Sequence, residues 1–213
     1  MILRYAILIS ALFSLSLQAA RLDVSLKTSD DSVLPGTVVY LTSAQPLPPV
    51  AEGATAEMDQ VNKQFKPHIL VVQKGTQIRF PNSDSIQHHV YSFSPAKTFE
   101  LKLYKDHHPA PLPFDKAGQV ELGCNVHDWM LGYIMVVDTP YFTQLNKQGQ
   151  ASLDVPAGDY TLHIRHPRIQ DDAASLDQAV TIKGNQQVQL RLKQPLLPGA
   201  DDFEDQDEFS GYE

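Results

Sequence analysis

An all-β fold is the expectation from three features of this sequence. Short apolar or alternating runs recur from residue 22 to residue 192. Clusters of Gly, Pro, Asn, Asp and Ser separate them, which is the punctuation of strands and turns. No stretch carries a convincing helical period. Composition permits a packed core: hydrophobic residues make up 42% and charged residues 20% of 213. That balance excludes wholesale disorder and suits either one large domain or two small ones.

Taken in order, residues 22–26 alternate apolar and polar, and residues 38–41 do so less cleanly. Asp30-Asp31 and Pro35-Gly36 mark turns between them, so the pair reads as a β-hairpin. Residues 45–55 are rich in Pro, Ala and Gly and read as a linker. Strand signals then come quickly, at 69–72, 77–80, 88–93, 99–103, 119–122 and 133–137. This is the pattern of a β-sandwich of about seven or eight strands. Past Pro140 about four further strands are expected, at 151–155, 160–165, 179–182 and 188–192. Too few for a closed sandwich, they reach a workable number when the first two strands are added. The expected organisation is therefore a discontinuous β-domain, 21–50 plus 141–195, with a sandwich at 58–138 inserted in it. Such insertion is easy when a domain's chain ends lie close together.

Residues 1–20 read as a secretory leader, with Arg4 at the positive end and an apolar run from Ile7 to Leu17. That run is short for a membrane span, so no stable membrane insertion is expected after cleavage. The expected compartment is a bacterial periplasm. The formal charge of −8 is concentrated in residues 201–213, which hold seven acids and no base. Without leader and tail the body carries about −2 and offers no basic surface for nucleic acid. Residues 196–213 are expected to be a disordered acidic tail. A lone cysteine in an oxidising compartment has no disulfide partner within the chain.

That cysteine lies in the most informative stretch, residues 123–130, which read Gly-Cys-Asn-Val-His-Asp-Trp-Met. Cys124, His127 and Met130 place thiolate, imidazole and thioether on one short loop. This soft donor set suits copper; zinc fits it less well, since zinc sites usually combine Cys, His and carboxylate. A second imidazole is needed from elsewhere, and the turn-then-strand segment 80–90 carries His88 and His89. Strand alternation lets only one of these two face a metal.

Cys124-x2-His127-x2-Met130, with an upstream Asn-turn-His-x-Val, resembles the cupredoxins of the amicyanin, pseudoazurin and plastocyanin group over residues 58–138. Segments 80–92, 123–130 and 137–141 resemble more narrowly a group of small periplasmic proteins of the methylamine-utilisation kind. Residues 35–40 and 155–160 look like carboxypeptidase-regulatory or transthyretin-like β-segments. The cupredoxin resemblance implies a Greek-key sandwich holding one type 1 copper ion, with His88, Cys124, His127 and Met130 as ligands. It selects His88 over His89. Cys124 would give the short bond, His88 and His127 the trigonal plane, and Met130 the long axial contact. Asn82 is the expected partner tying the two loops together and stabilising the thiolate; a plain turn residue is the competing reading. His127 is expected to present a ring edge to solvent, with Trp129, Leu131 and Gly132 around it as a docking rim for a redox protein. Ordinary packing beneath the site is the alternative for that rim. Asp128 and Gln87 depart from the family, which often has proline at both positions.

The function implied is a single-electron carrier, monomeric and not an enzyme. A copper-delivery protein using the same ligands and a non-redox binding module are the alternatives. Ready transfer of copper to an acceptor would mark the first, and a metal-free 58–138 the second. The remaining histidines are less promising. His107-His108 sits in a proline-rich loop that is expected to be solvated. His163 and His166 would face opposite sides of one strand, and His68 has no evident partner. A cysteine nucleophile with His127 as its base is disfavoured by the three-residue spacing on a tight loop beside Met130.

Overall fold

The computed structural model describes residues 19–105 and 109–199. Most of the leader, His107-His108 and most of the acidic tail lie outside these residues. The chain enters through β1 (Ala20–Lys27) and β2 (Val38–Thr42). A second group follows: β3 (Thr55–Glu57), β4 (Asp59–Val61), β5 (Gln64–Lys66), β6 (Ile69–Gln73) and β7 (Thr76–Arg79). It continues with β8 (His88–Ser94), β9 (Lys97–Tyr104), β10 (Leu112–Phe114), β11 (Gly118–Cys124) and β12 (Leu131–Val137). The last group is β13 (Phe142–Gln144), β14 (Gln150–Val155), β15 (Gly158–Arg165), α1 (Ala173–Leu176), β16 (Gln178–Ile182) and β17 (Gln186–Arg191).

The described residues are all-β apart from α1, a single turn of helix. A five-stranded sheet runs β6-β12-β11-β8-β9 and faces a three-stranded sheet β10-β7-β3. Between them lies one core that includes Ile78, Phe80, Val90, Phe114, Leu122 and Ile134. Alternation makes this possible: β8 buries His88, Val90 and Ser92 and turns His89, Tyr91 and Phe93 outward. The β4–β5 hairpin stands beside this sandwich. It turns through Asn62 and Lys63, whose φ values of 55° and 57° are both left-handed, as a two-residue hairpin turn requires.

A second core gathers Leu22, Leu26, Leu41, Val155, Leu162 and Ile164. It lies between the sheets β14-β1-β17 and β13-β2-β15-β16. Here the structure corrects the hairpin expected of the first two strands. β1 pairs antiparallel with β14 and parallel with β17, whereas β2 pairs with β13 and β15. Both strands have a face to bury, and the loop between them carries the chain from one layer to the other. A third, small cluster of Val38, Ile69 and Met135 joins β2 to β6 and β12.

Other differences are local. Among the described residues, ten strands lie between residues 55 and 137 and five follow residue 140. The unforeseen ones, β3, β4, β5, β10 and β13, are three residues each, too short to show a period. β1 begins at Ala20, which is buried and pairs with Val155, one residue inside the expected leader. At the other end Leu197 is tied to Arg168 by two hydrogen bonds, so order extends into the expected tail. No helix among the described residues is long and apolar enough to cross a membrane.

Candidate metal centre

Two strands and the loop that follows the second deliver the donors. His88 opens β8 and is fully buried, at 0% exposure. A register shift between His88 and Val90 sets the start of β8 against β9, with His88 opposite Tyr104. His89 points outward, with Nε2 2.8 Å from Glu100 Oε1. The one-in, one-out arrangement follows from the pleat, and the inward residue is His88.

Cys124 ends β11 and is buried; across the ladder it pairs with Val90. The chain then turns through residues 125–130. Asn125 N–H donates to His89 O at 3.2 Å, fixing the loop's start to β8. Met130 N–H donates to His127 O at 3.0 Å, which folds the loop back and buries both side chains. Two glycines give this arrangement room. A Cβ on Gly123 would lie 2.6 Å from the Tyr91 ring, and one on Gly132 would lie 2.7 Å from Phe65 Cβ. Strands β11 and β12 thus allow close cover by Tyr91 on one side and by the β4–β5 hairpin on the other.

The buried thiol stands between two imidazoles. Cys124 Sγ is 3.7 Å from His88 Nδ1 and 4.0 Å from His127 Nδ1. All three donor atoms fall within 4.8 Å of one another. Bonds of the length that zinc makes to imidazole and thiolate, about 2.0 and 2.3 Å, would separate N and S by about 3.7 Å when meeting at about 120°. The two measured spacings are close to that value, so the donors fit one ion without rebuilding. One thiolate, two imidazoles and a buried thioether form a set softer than zinc usually takes, and it suits copper. Met130 is 2% exposed and belongs to the same core cluster as Cys124.

The electrostatics favour an unprotonated His127. Burial, the neighbouring His88 and the charge of Lys63 all depress the proton affinity of His127. Behind His88 stands Asp84, whose Oδ2 lies 2.8 Å from His88 Nε2. Burial pushes the Asp84 carboxyl up. Hydrogen bonds from Lys63 N–H, His88 and Asn62 N–H outweigh it and hold the group below the usual carboxylate range. Asp84 was not singled out from sequence, because in Asn-Ser-Asp-Ser it reads as turn chemistry. Its place four residues before His88 was the available signal.

Asn82 does not tie the two loops together. Its amide donates to Ile86 O and Tyr104 O, each at 2.9 Å, and its Oδ1 accepts from Asp84 N–H at 3.0 Å. It organises the turn that carries Asp84. His127 is 8% exposed, less open than expected, and the Trp129 ring lies edge-on at 5.2 Å. Trp129 is itself 63% exposed, so it does not pack beneath the site. A cleft of about 460 Å³ opens beside Cys124 and Met130, bordered by Tyr91, Phe93, Asp128 and Leu131.

Other described histidines stand away from this group. His68 stands edge-on to Tyr133 at 5.5 Å. His163 stacks on Tyr40 at 4.5 Å and links Thr42, at 2.7 Å, to Asp177, at 2.9 Å. Arg165 shares that carboxylate oxygen, so the run ties β2, β15 and the end of α1 together.

No family model and no curated protein matches the chain. Among solved structures, a copper-containing nitrite reductase from Thermus scotoductus is similar, with 24% identity and a TM-score of 0.36, over 42% of this chain and 25% of its own. The chain thus spans about a quarter of that enzyme's length. A reduced amicyanin variant is similar over 46% of this chain and 98% of its own, with 24% identity and a TM-score of 0.35. An oxidised amicyanin variant covers 46% and 99%, with 23% identity and the same TM-score of 0.35.

Proposed function

We propose that this protein is a type 1 copper protein that carries single electrons between redox partners and makes or breaks no substrate bonds. The observation that carries the reading is the buried Cys124 thiol with the Nδ1 atoms of His88 and His127 both turned toward it. His88, Cys124, His127 and Met130 would together hold one copper ion, the donor set of a cupredoxin site. Bound copper supplies the one-electron change between Cu(I) and Cu(II). The chain's own contribution is to keep the donors fixed and dry, so that little rearranges between the two states. Their burial and the hydrogen bonds at both ends of the loop support that role.

Trp129 stands against His127, and Val126 and Leu131 are the other exposed apolar side chains around the loop, at 63%, 47% and 36% exposure, whereas Gly132 of the expected rim is buried. A rim of this kind suits the brief, weak encounters of redox partners. We assign the docking surface to Trp129 and Leu131. The strands of 21–50 and 141–195 form a scaffold domain into which the copper-binding strands of 58–138 are inserted; the pairing of β1 with β14 and β17 supports this division. The protein would act as a periplasmic monomer after removal of the leader.

The test is visible absorption and electron paramagnetic resonance of the purified mature protein after one equivalent of Cu(II). Intense thiolate charge-transfer absorption with narrow copper hyperfine splitting is expected. Pale protein with ordinary tetragonal signals would point to copper handling without fast turnover, and no binding would remove the reading.

A further inference from the structure

The two nitrogens of the His88 ring have different tasks. Nδ1 faces Cys124 Sγ, while Nε2 of the fully buried ring meets Oδ2 of the partly buried Asp84 at 2.8 Å. A neutral imidazole carries one N–H, and an ionised carboxylate can only accept. The contact therefore demands hydrogen on Nε2 and leaves the Nδ1 lone pair free.

Asp84 is itself held. Its Oδ1 accepts Asn62 N–H at 2.6 Å, and its Oδ2 accepts Lys63 N–H at 2.9 Å. Both donors belong to the left-handed turn of the β4–β5 hairpin, which aims two successive N–H groups the same way. The hairpin grips the rest of the same turn as well. Ser83 Oγ donates to Asp59 Oδ2 at 2.7 Å, and Gln60 Nε2 donates to Pro81 O at 2.8 Å. On its far strand, buried Phe65 lies where a Cβ on Gly132 would go, next to the residue that follows the Cys124–Met130 loop's exit. One hairpin thus touches the supports of both ligand-bearing segments.

We propose that Asp84 is the positioning residue of the metal centre and that the β4–β5 hairpin is its mount. Asp84 fixes His88 as the Nε2–H tautomer, directs Nδ1 toward the ion and adds negative charge behind the ring, which favours Cu(II) over Cu(I). The inference rests on the copper reading above, but the tautomer it requires exists without metal.

The experiment therefore has a metal-free arm and a copper arm. In metal-free protein labelled with ¹⁵N-histidine at about pH 8, where imidazole is neutral, two-bond proton–nitrogen correlations should show His88 as the Nε2–H tautomer. Asp84→Asn keeps an acceptor and should keep that tautomer. Asp84→Leu should let Nδ1–H appear. In the copper arm, Asp84→Leu should weaken copper binding by about 10–100-fold. Asp84→Asn should retain the charge-transfer band and shift the reduction potential upward. An unchanged His88 tautomer in folded Asp84→Leu, or an unchanged or lower potential in Asp84→Asn, overturns the proposal. Should Asp84→Leu fail to fold, the Asp84→Asn potential decides alone. Wild-type protein that takes up no copper would sink the functional reading instead, and the metal-free spectra would still decide the role of Asp84.

Discussion

His88 and His89 are chemically identical neighbours separated only by the strand's pleat, and that separation can be measured. His88→Ala should abolish the thiolate-to-copper absorption, whereas His89→Ala should leave it in place, since His89 contacts Glu100 at the surface. The opposite result would mean that the strand is in the other register. Asp128 lies exposed beside His127 on the cleft next to Cys124. If the site holds copper as proposed, its charge would attract the more positive copper state, so Asp128→Asn should raise the reduction potential, on the order of tens of millivolts in a largely aqueous setting. Voltammetry of the two proteins decides this, and an unchanged or lower value counts against it. At this scale the grouping of the candidate donors was legible in sequence. Cys124, His127 and Met130 carry chemistry at a local spacing, and the structure buries all three on one loop. Asp84 was not legible, because its partners Asn62 and Lys63 are 22 and 21 residues away. Asn82 misled for the related reason that an amide able to bridge loops is equally able to build a turn.

The β4–β5 hairpin is a small element with a large share of the site's supports. Its tightest interface is Phe65 on Gly132, where a Cβ would come within 2.7 Å of Phe65 Cβ and 2.9 Å of the ring. Gly132→Ala should therefore cost about 1–3 kcal/mol, as overpacking does in a filled core. Gly123→Ala should cost less, although its Cβ would meet Tyr91 at 2.6 Å, because the atoms it meets are the far end of a half-exposed ring. Urea unfolding of the two variants gives the order, and a larger loss at Gly123 would show that Tyr91 cannot swing aside. The elements that sequence revealed are the long ones with clear alternation, such as β1 with its burial pattern of every second residue. Three-residue strands carry no period. The partner of β1 is likewise not local information: the hairpin reading failed because β14 and β17 lie more than a hundred positions along the chain.

At the scale of the whole molecule, the small cluster of Val38, Ile69 and Met135 is flanked by Tyr133, against which His68 stands. The nearby His166 is held down to about 4 by burial first, then by the charges of Arg168 and His68. Unfolded, the same ring titrates near 6.5. Between those values the unfolded chain binds a proton that the folded chain refuses, so stability falls as pH drops from about 6.5 to about 4. Allowing for partial exposure, the loss from this ring is roughly 1–2 kcal/mol. Denaturant midpoints at neutral and acid pH should fall further apart in wild type than in His166→Asn; equal differences would remove His166 as the cause. The two-core organisation was legible in outline, because strand counts on either side of residues 58–138 were each too small to close a sandwich. The junction was not, since nothing in the letters of Val38 or Met135 says which core they join. The pairing of β2 with β13 has one more consequence. Phe142 lies opposite Tyr40, so everything from residue 43 to residue 141 is, from the viewpoint of that sheet, one connection of roughly a hundred residues. If that connection melted, closing the seam between β2 and β13 would carry an entropic penalty about 3 kcal/mol above that of a tight turn. While it is folded, its two ends are held in place and the penalty vanishes. An ion gripped by His88 and Cys124 would then act as a distant clasp, firming a pair of strands that neither residue touches.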